Sequence, residues 1–142
     1  MTANCANTDA WEIIPGADEL RSIYGYWPTL HDAIIYDFSV SNLNSNVQMS
    51  IEYEDLVNDG SGEVVTSFDM DWVGVTSCKL RLMEPSLYGV TIQHVNGLYL
   101  TTFVPYEWGC DGTIEAQSIQ FSNIERLPER QVSSGLRIDV RP

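Results

Sequence analysis

The sequence predicts an α+β fold: a predominantly antiparallel sheet or sandwich of about seven to nine strands with one short N-terminal helix packed on it. Three observations carry this. After Ala33, apolar residues recur at period 2 over most of the chain. Only one segment, ahead of Pro28, has the three-or-four-residue spacing of an amphipathic helix. No strand–helix–strand alternation appears, which argues against a doubly wound parallel sheet.

The elements follow in order. Residues 1–10 are polar and aperiodic and read as a flexible arm. Trp11, Ile13 and Ile14 surround Glu12 and stop at Pro15-Gly16. Asp18 is placed to cap the helix that follows. In it Leu20, Ile23, Tyr24 and Trp27 share one face, and Pro28 ends it because the residue before a proline is pushed out of the helical region. Ile34, Tyr36, Phe38 and Val40, then Val47, Met49, Ile51 and Tyr53, mark two half-buried strands joined by an Asn/Ser turn over 42–46. Residues 58–62 form the next turn and 64–70 a returning strand. A further strand falls around 78–82 and is closed by Pro85. Segments 90–95 and 98–104 flank Asn96-Gly97, a two-residue hairpin signal that sets Val95 opposite Leu98 and His94 opposite Tyr99. Segments 113–121 and 136–140 supply the last strands, with 124–130 a loop or one helical turn between them. No repeat, low-complexity tract or linker divides the chain, so residues 1–142 read as one domain.

Composition narrows the function. The 142 residues are 44% hydrophobic and include four tryptophans, enough for a core without disulfide or metal staples. Seven basic residues stand against twenty acidic ones, for a net charge of −13. That field repels nucleic acid and anionic membranes and attracts basic partners. Between Arg21 and Lys79 there is no Lys or Arg, while Asp32, Asp37, Glu52, Glu54, Asp55, Asp59, Glu63, Asp69 and Asp71 all fall there. Cys5, Cys78 and Cys110 are too few and too widely spaced for a disulfide framework. With no signal-peptide pattern and no apolar run of about 20 residues, the expected location is the cytoplasm, with reduced thiols.

A search for catalytic sets finds none. Residues 58–62 lack the Gly-Lys-Ser/Thr of a phosphate loop, and no Gly-x-Ser-x-Gly elbow occurs. A cysteine nucleophile needs an adjacent base, and nothing in the sequence joins Cys78 or Cys110 to His31 or His94. Candidate metal ligands are His31, Asp32, His94, Glu107 and Asp111. Neighbours on a strand point to opposite faces, so His31 and Asp32 converge only in a bend. The structural alternative has Asp32 accepting backbone N–H bonds at the helix–strand corner and His31 packing beside Trp27. Trp72 and Trp108, flanked by acids and turns, are the tryptophans best placed as interface anchors.

The segment Gly25-Tyr26-Trp27-Pro28-Thr29-Leu30-His31-Asp32-Ala33 resembles the signature Gly-x-Trp-Pro-Ser-Phe-His-Asp-Ala of the immunity protein 50 family of bacterial polymorphic toxin systems. Thr29 and Leu30 depart mildly from it, and Ile34 stands where the family often has an acid. Tyr106-Glu107-Trp108-Gly109-Cys110-Asp111-Gly112 is similar to the family's late Asp-Gly element. The resemblance runs from about Ser22 to Phe121, and its specificity lies in the nine-residue motif. It implies a non-enzymatic role, binding and neutralising a cognate toxin domain, with no catalytic residues and no cofactor. In that reading Trp27, Pro28, His31 and Asp32 are a fold element.

The expected contact surface is the acidic stretch: Asp55, Asp59, Glu63, Asp69 and Asp71, with Trp72 as apolar anchor. The expected partner is a cationic toxin, for instance a nuclease, whose basic cleft an acidic protein occludes. Two other readings stand beside this one: a structural domain that self-associates through exposed strand edges into a homodimer, and a small metal-dependent hydrolase around His31, Asp32 and His94.

Overall fold

Seven strands form one sheet: β1 (Ile34–Ser41), β2 (Asn46–Leu56), β3 (Glu63–Leu82), β4 (Val90–Val95), β5 (Leu98–Phe103), β6 (Cys110–Leu127) and β7 (Arg137–Arg141). They lie in the order β4-β5-β6-β3-β2-β1-β7, with the helix α1 (Ala17–Tyr24) on the inner face. The structure, a computed structural model, describes residues 10–57, 59–82, 84–104, 109–131 and 136–141. All neighbouring strands are antiparallel except β1 and β7, which run parallel. The α+β, mainly antiparallel expectation therefore holds.

The hairpin at Asn96-Gly97 has the register its two-residue loop dictates. Val95 pairs with Leu98 and His94 with Tyr99. Asn96 (φ 54°) and Gly97 (φ 80°) both take the left-handed backbone that such a turn requires.

Several expected boundaries differ. The two strands expected over 64–70 and 78–82 are one 20-residue strand, β3. It passes through Gly74 (φ 68°) and a register shift between Val75 and Ser77, so what reads as a break is a bulge. Likewise β6 continues to Leu127, through the segment expected to be a loop or helical turn. Its ladder to β3 reaches the Val65–Leu127 pair, which outweighs local propensity.

The helix also starts and stops differently. Gly16, not Asp18, occupies the N-cap, and no side-chain cap bond forms. Gly25 (φ 85°) ends the helix before Pro28 is reached, with its amide donating to the Arg21 carbonyl at 2.7 Å. Residues 10–12 form a helical turn with Ala10 and Trp11 buried, so Ala10 belongs to the fold and not to an arm; residues 1–9 lie outside the described residues.

Alternation sorts the sheet into two faces. Val47, Met49 and Ile51 on β2, Phe68, Met70 and Trp72 on β3, and Ile119 and Phe121 on β6 are buried on the inner face. Trp11 stacks on Phe121 at 5.0 Å, and Leu20 and Tyr24 of α1 are fully buried. Each large apolar side chain so covered contributes about 1.5–3 kcal/mol. The chain enters α1 hard against β6: the Phe121 amide donates to the Pro15 carbonyl at 2.8 Å. A Cβ on Gly16 would lie 2.0 Å from the Phe121 carbonyl oxygen, so only glycine fits there.

The sheet also curls. Trp72 on β3 donates its indole N–H to Thr101 on β5 at 2.9 Å, although β6 lies between those strands. At one end, residues 85–87 tie the two sides together. The Ile35 amide donates to the Pro85 carbonyl at 2.7 Å and the Cys110 amide to the Ser86 carbonyl at 2.9 Å. The core is thus enclosed within the curl, and the outer face of β1, β2, β3 and β6 is left with polar side chains.

Candidate functional site

That outer face carries Asp69 and Asp71, both half-buried. The register places Asp69 opposite Ser50 on β2 and Ser122 on β6, and Asp71 opposite Gln48 and Gln120. Asp69 accepts hydrogen bonds from the Ser50 hydroxyl at 2.7 Å and the Asn123 side-chain amide at 2.7 Å. Asp71 accepts from the Gln48 amide, the Ser122 hydroxyl at 2.9 Å and the Gln120 amide at 3.3 Å. Both carboxylates are therefore fixed in position by uncharged donors. Such donors hold a carboxylate in place and bring no positive charge of their own.

Four arginines pair with other carboxylates. Arg81 pairs with Asp111 at 2.7 Å, Arg130 with Glu54 at 2.8 Å, Arg137 with Asp37 at 2.9 Å and Arg141 with Asp139 at 3.0 Å. Among the described residues no Lys or Arg pairs with Asp69 or Asp71. Beside Asp71 runs a groove of about 410 Å³, lined by Ser39, Gln48, Gln120 and Arg141 among others.

The other expected contact residues divide. Glu63 shares the strand parity of Asp69 and Asp71 and is exposed, but lies about 20 Å along β3 at the usual rise per residue. Asp59 is exposed in the β2–β3 turn. Its carboxyl is held below the usual range by hydrogen bonds from the Ser61 side chain and then the Ser61 amide, 2.8 Å away.

Asp55 is half-buried on the other face of β2, away from Asp69 and Asp71. It has the opposite parity and accepts from the Tyr26 hydroxyl at 2.6 Å and the Tyr53 hydroxyl at 2.8 Å. Burial alone would raise its carboxyl, but those bonds and one from the Leu56 amide outweigh it and lower the pKa. Asp55 thus ties the end of α1 to β2. The same corner buries Tyr24, whose hydroxyl lies 2.8 Å from that of Thr66 and whose pKa burial pushes to about 12.

Trp72 is a second correction. It is 0% exposed, points into the core and lies 6.1 Å from Phe103. Its flanking acids, Asp69 and Asp71, face out because neighbours on a strand alternate. An acidic context thus surrounds a core residue, which has no surface to offer as an anchor. Trp108 and Glu107 lie outside the described residues.

The motif residues hold the corner between α1 and β1. Leu30 (φ 62°) and Asp32 (φ 64°) take left-handed backbone in a turn closed by the Ala33 amide donating to the Leu30 carbonyl. The Asp32 amide donates to the Leu87 carbonyl at 2.8 Å, and the Leu87 amide donates back to Ala33 at 2.9 Å. Among the described residues no backbone amide donates to the Asp32 side chain, which faces His31 at 3.1 Å, and both are exposed. His31 packs edge-on against Tyr88, while Trp27 lies near Trp11 and under the Arg21 guanidinium. His94 is exposed beside Tyr99 on the hairpin. Among the described residues no three His, Cys, Asp or Glu side chains form a ligand set, so His31, Asp32 and His94 do not converge on one ion. Burial, with help from Asp111, pushes the Cys110 thiol to about 12, far from a thiolate nucleophile.

The partners that orient Asp69 and Asp71 were not singled out in the sequence. Their parity was legible, since Gln48 and Ser50 alternate with Val47, Met49 and Ile51. Their adjacency to β3 was not, because periodicity gives faces and not neighbours.

No protein-family model matches the chain, and no curated protein and no solved structure matches it. No helix among the described residues is long and apolar enough to cross a membrane.

Proposed function

We propose that the chain is a non-enzymatic immunity protein that binds a cognate, basic toxin domain and covers its active site. The observation that supports this best is the pair Asp69 and Asp71, solvent-facing, held rigid by five uncharged donors and without a cationic partner among the described residues. A preorganised, uncompensated charge costs little ordering on binding and draws in a cationic surface from a distance. The −13 net charge acts in the same direction. A toxin that handles phosphate, such as a nuclease, carries the complementary cleft.

The contact surface is then the outer face of β2, β3 and β6 around Asp69 and Asp71, with Glu63 and Asp59 at its margin. It covers about 1,200–2,000 Å² in total. The test begins with capture of the toxin from the native cells at low salt, followed by its expression alone and together with this chain. Growth arrest by the captured protein, relieved by the chain, is the expected result. A captured protein that is not toxic, or one whose toxicity the chain leaves unchanged, overturns the reading. With the pair in hand, Asp69→Lys with Asp71→Lys slows association at least about tenfold at low salt and changes dissociation far less. Unchanged association removes this face from the interface.

A further inference from the structure

β7 forms one edge of the sheet, with β1 as its neighbour. The Asn42 amide donates to the Arg141 carbonyl at 3.0 Å. In a parallel pair, alternate residues turn their main-chain groups toward the neighbour. Arg137, Asp139 and Arg141 therefore face β1, and the amides and carbonyls of Ile138 and Val140 point away from it. The same two side chains are 54% and 60% exposed. Open main-chain groups beside bare apolar side chains are what recruits another strand.

We propose that β7 pairs antiparallel with β7 of a second copy of this chain, about a twofold axis at Ile138. Charge identifies the occupant. The strand reads Arg-Ile-Asp-Val-Arg. Centred on Ile138, it sets Arg137 opposite Asp139 of the other copy, twice by symmetry, and Leu136 opposite Val140. The Arg–Asp pairs fall at the closer, non-hydrogen-bonded positions, where opposite charges attract best. They join the existing pairs Asp37–Arg137 and Asp139–Arg141 into one alternating row. A register centred on Asp139 instead opposes Arg137 with Arg141 and Asp139 with itself. One centred on Val140 also opposes Asp139 with Arg141, but it leaves Arg137 and Ile138 without a described residue opposite them. The register centred on Ile138 is thus the one that pairs the whole run from Leu136 to Val140.

A five-residue edge buries less than a standard interface, so the dissociation constant is on the order of 100 µM. Salt screens both the repulsion between two copies of −13 and the exposed Arg–Asp pairs between them, so the comparison is made at one fixed ionic strength. The pairing stands whether or not the chain binds a toxin.

The experiment is analytical ultracentrifugation at chain concentrations up to about 1 mM, ten times that constant, with far-UV circular dichroism as a check on folding. The wild type sediments as a dimer at the upper end. Arg137→Asp opposes Asp with Asp, and Asp139→Arg opposes Arg with Arg, so each variant alone stays monomeric. Their equimolar mixture restores both pairs and sediments as a heterodimer. A monomeric wild type overturns the proposal. So does a single variant that dimerises as the wild type does, which would place the contact on another surface, or a mixture that remains monomeric.

Discussion

Trp72 is the residue on which sequence context and tertiary placement differ most, and its substitution separates the two. As a surface anchor, Trp72→Phe would weaken toxin binding and leave stability intact. As a core residue it does the reverse. The indole is 0% exposed and donates to Thr101, itself buried, at 2.9 Å. Replacing it with phenylalanine removes a buried hydrogen bond, about 1 kcal/mol, and opens a void the size of the lost ring atoms, about another 1 kcal/mol. Trp72→Ala empties the site and costs about 3–5 kcal/mol. Domains of this kind have about 5–15 kcal/mol in total, so the alanine variant sits near the threshold and the phenylalanine variant is the informative one. Urea unfolding followed by circular dichroism gives the answer. With a slope of about 2 kcal/mol per molar, a 2 kcal/mol loss moves the midpoint down by about 1 M. A shift under about 0.2 M, with weakened partner binding, would refute the placement of Trp72 in the core.

Gly16→Ala adds a Cβ 2.0 Å from the Phe121 carbonyl oxygen at a φ of 87°. It should cost about 2 kcal/mol or more through the backbone conformation alone, and thermal unfolding lowered by less than a degree or so would contradict the close approach of α1 to β6. Asp55 has a depressed folded-state pKa, so its contribution is present above the unfolded value near 4 and is lost as pH falls through the lower folded value. Between about pH 4 and pH 2 the wild type should therefore lose stability more steeply than Asp55→Asn, which lacks the group. Parallel stability curves over that range would mean that the bonds from Tyr26 and Tyr53 do not stabilise the corner.

Much of this was legible in the sequence because it is local. The alternation Val47, Met49, Ile51, Tyr53 dictates which side of β2 is buried, whatever lies next to it. Asn96-Gly97 dictates a hairpin and its register through the backbone angles of two residues. The acidic bias of residues 22–78 guarantees a negative surface somewhere, since carboxylates are rarely buried unpaired. Only the tertiary structure decided the rest. Which strands adjoin β3 determined that Asp69 meets Ser50 and Asn123, and that Asp71 meets Gln48 and Gln120. Whether β3 broke or bent at Gly74 was decided by the ladder to β6, not by the glycine. Asp55 and Trp72 carry the same local signature as Asp69 and Asp71, an acidic stretch near a turn. The curl of the sheet gave them opposite fates, because parity sends adjacent residues to opposite faces and only the folded sheet determines which face is closed.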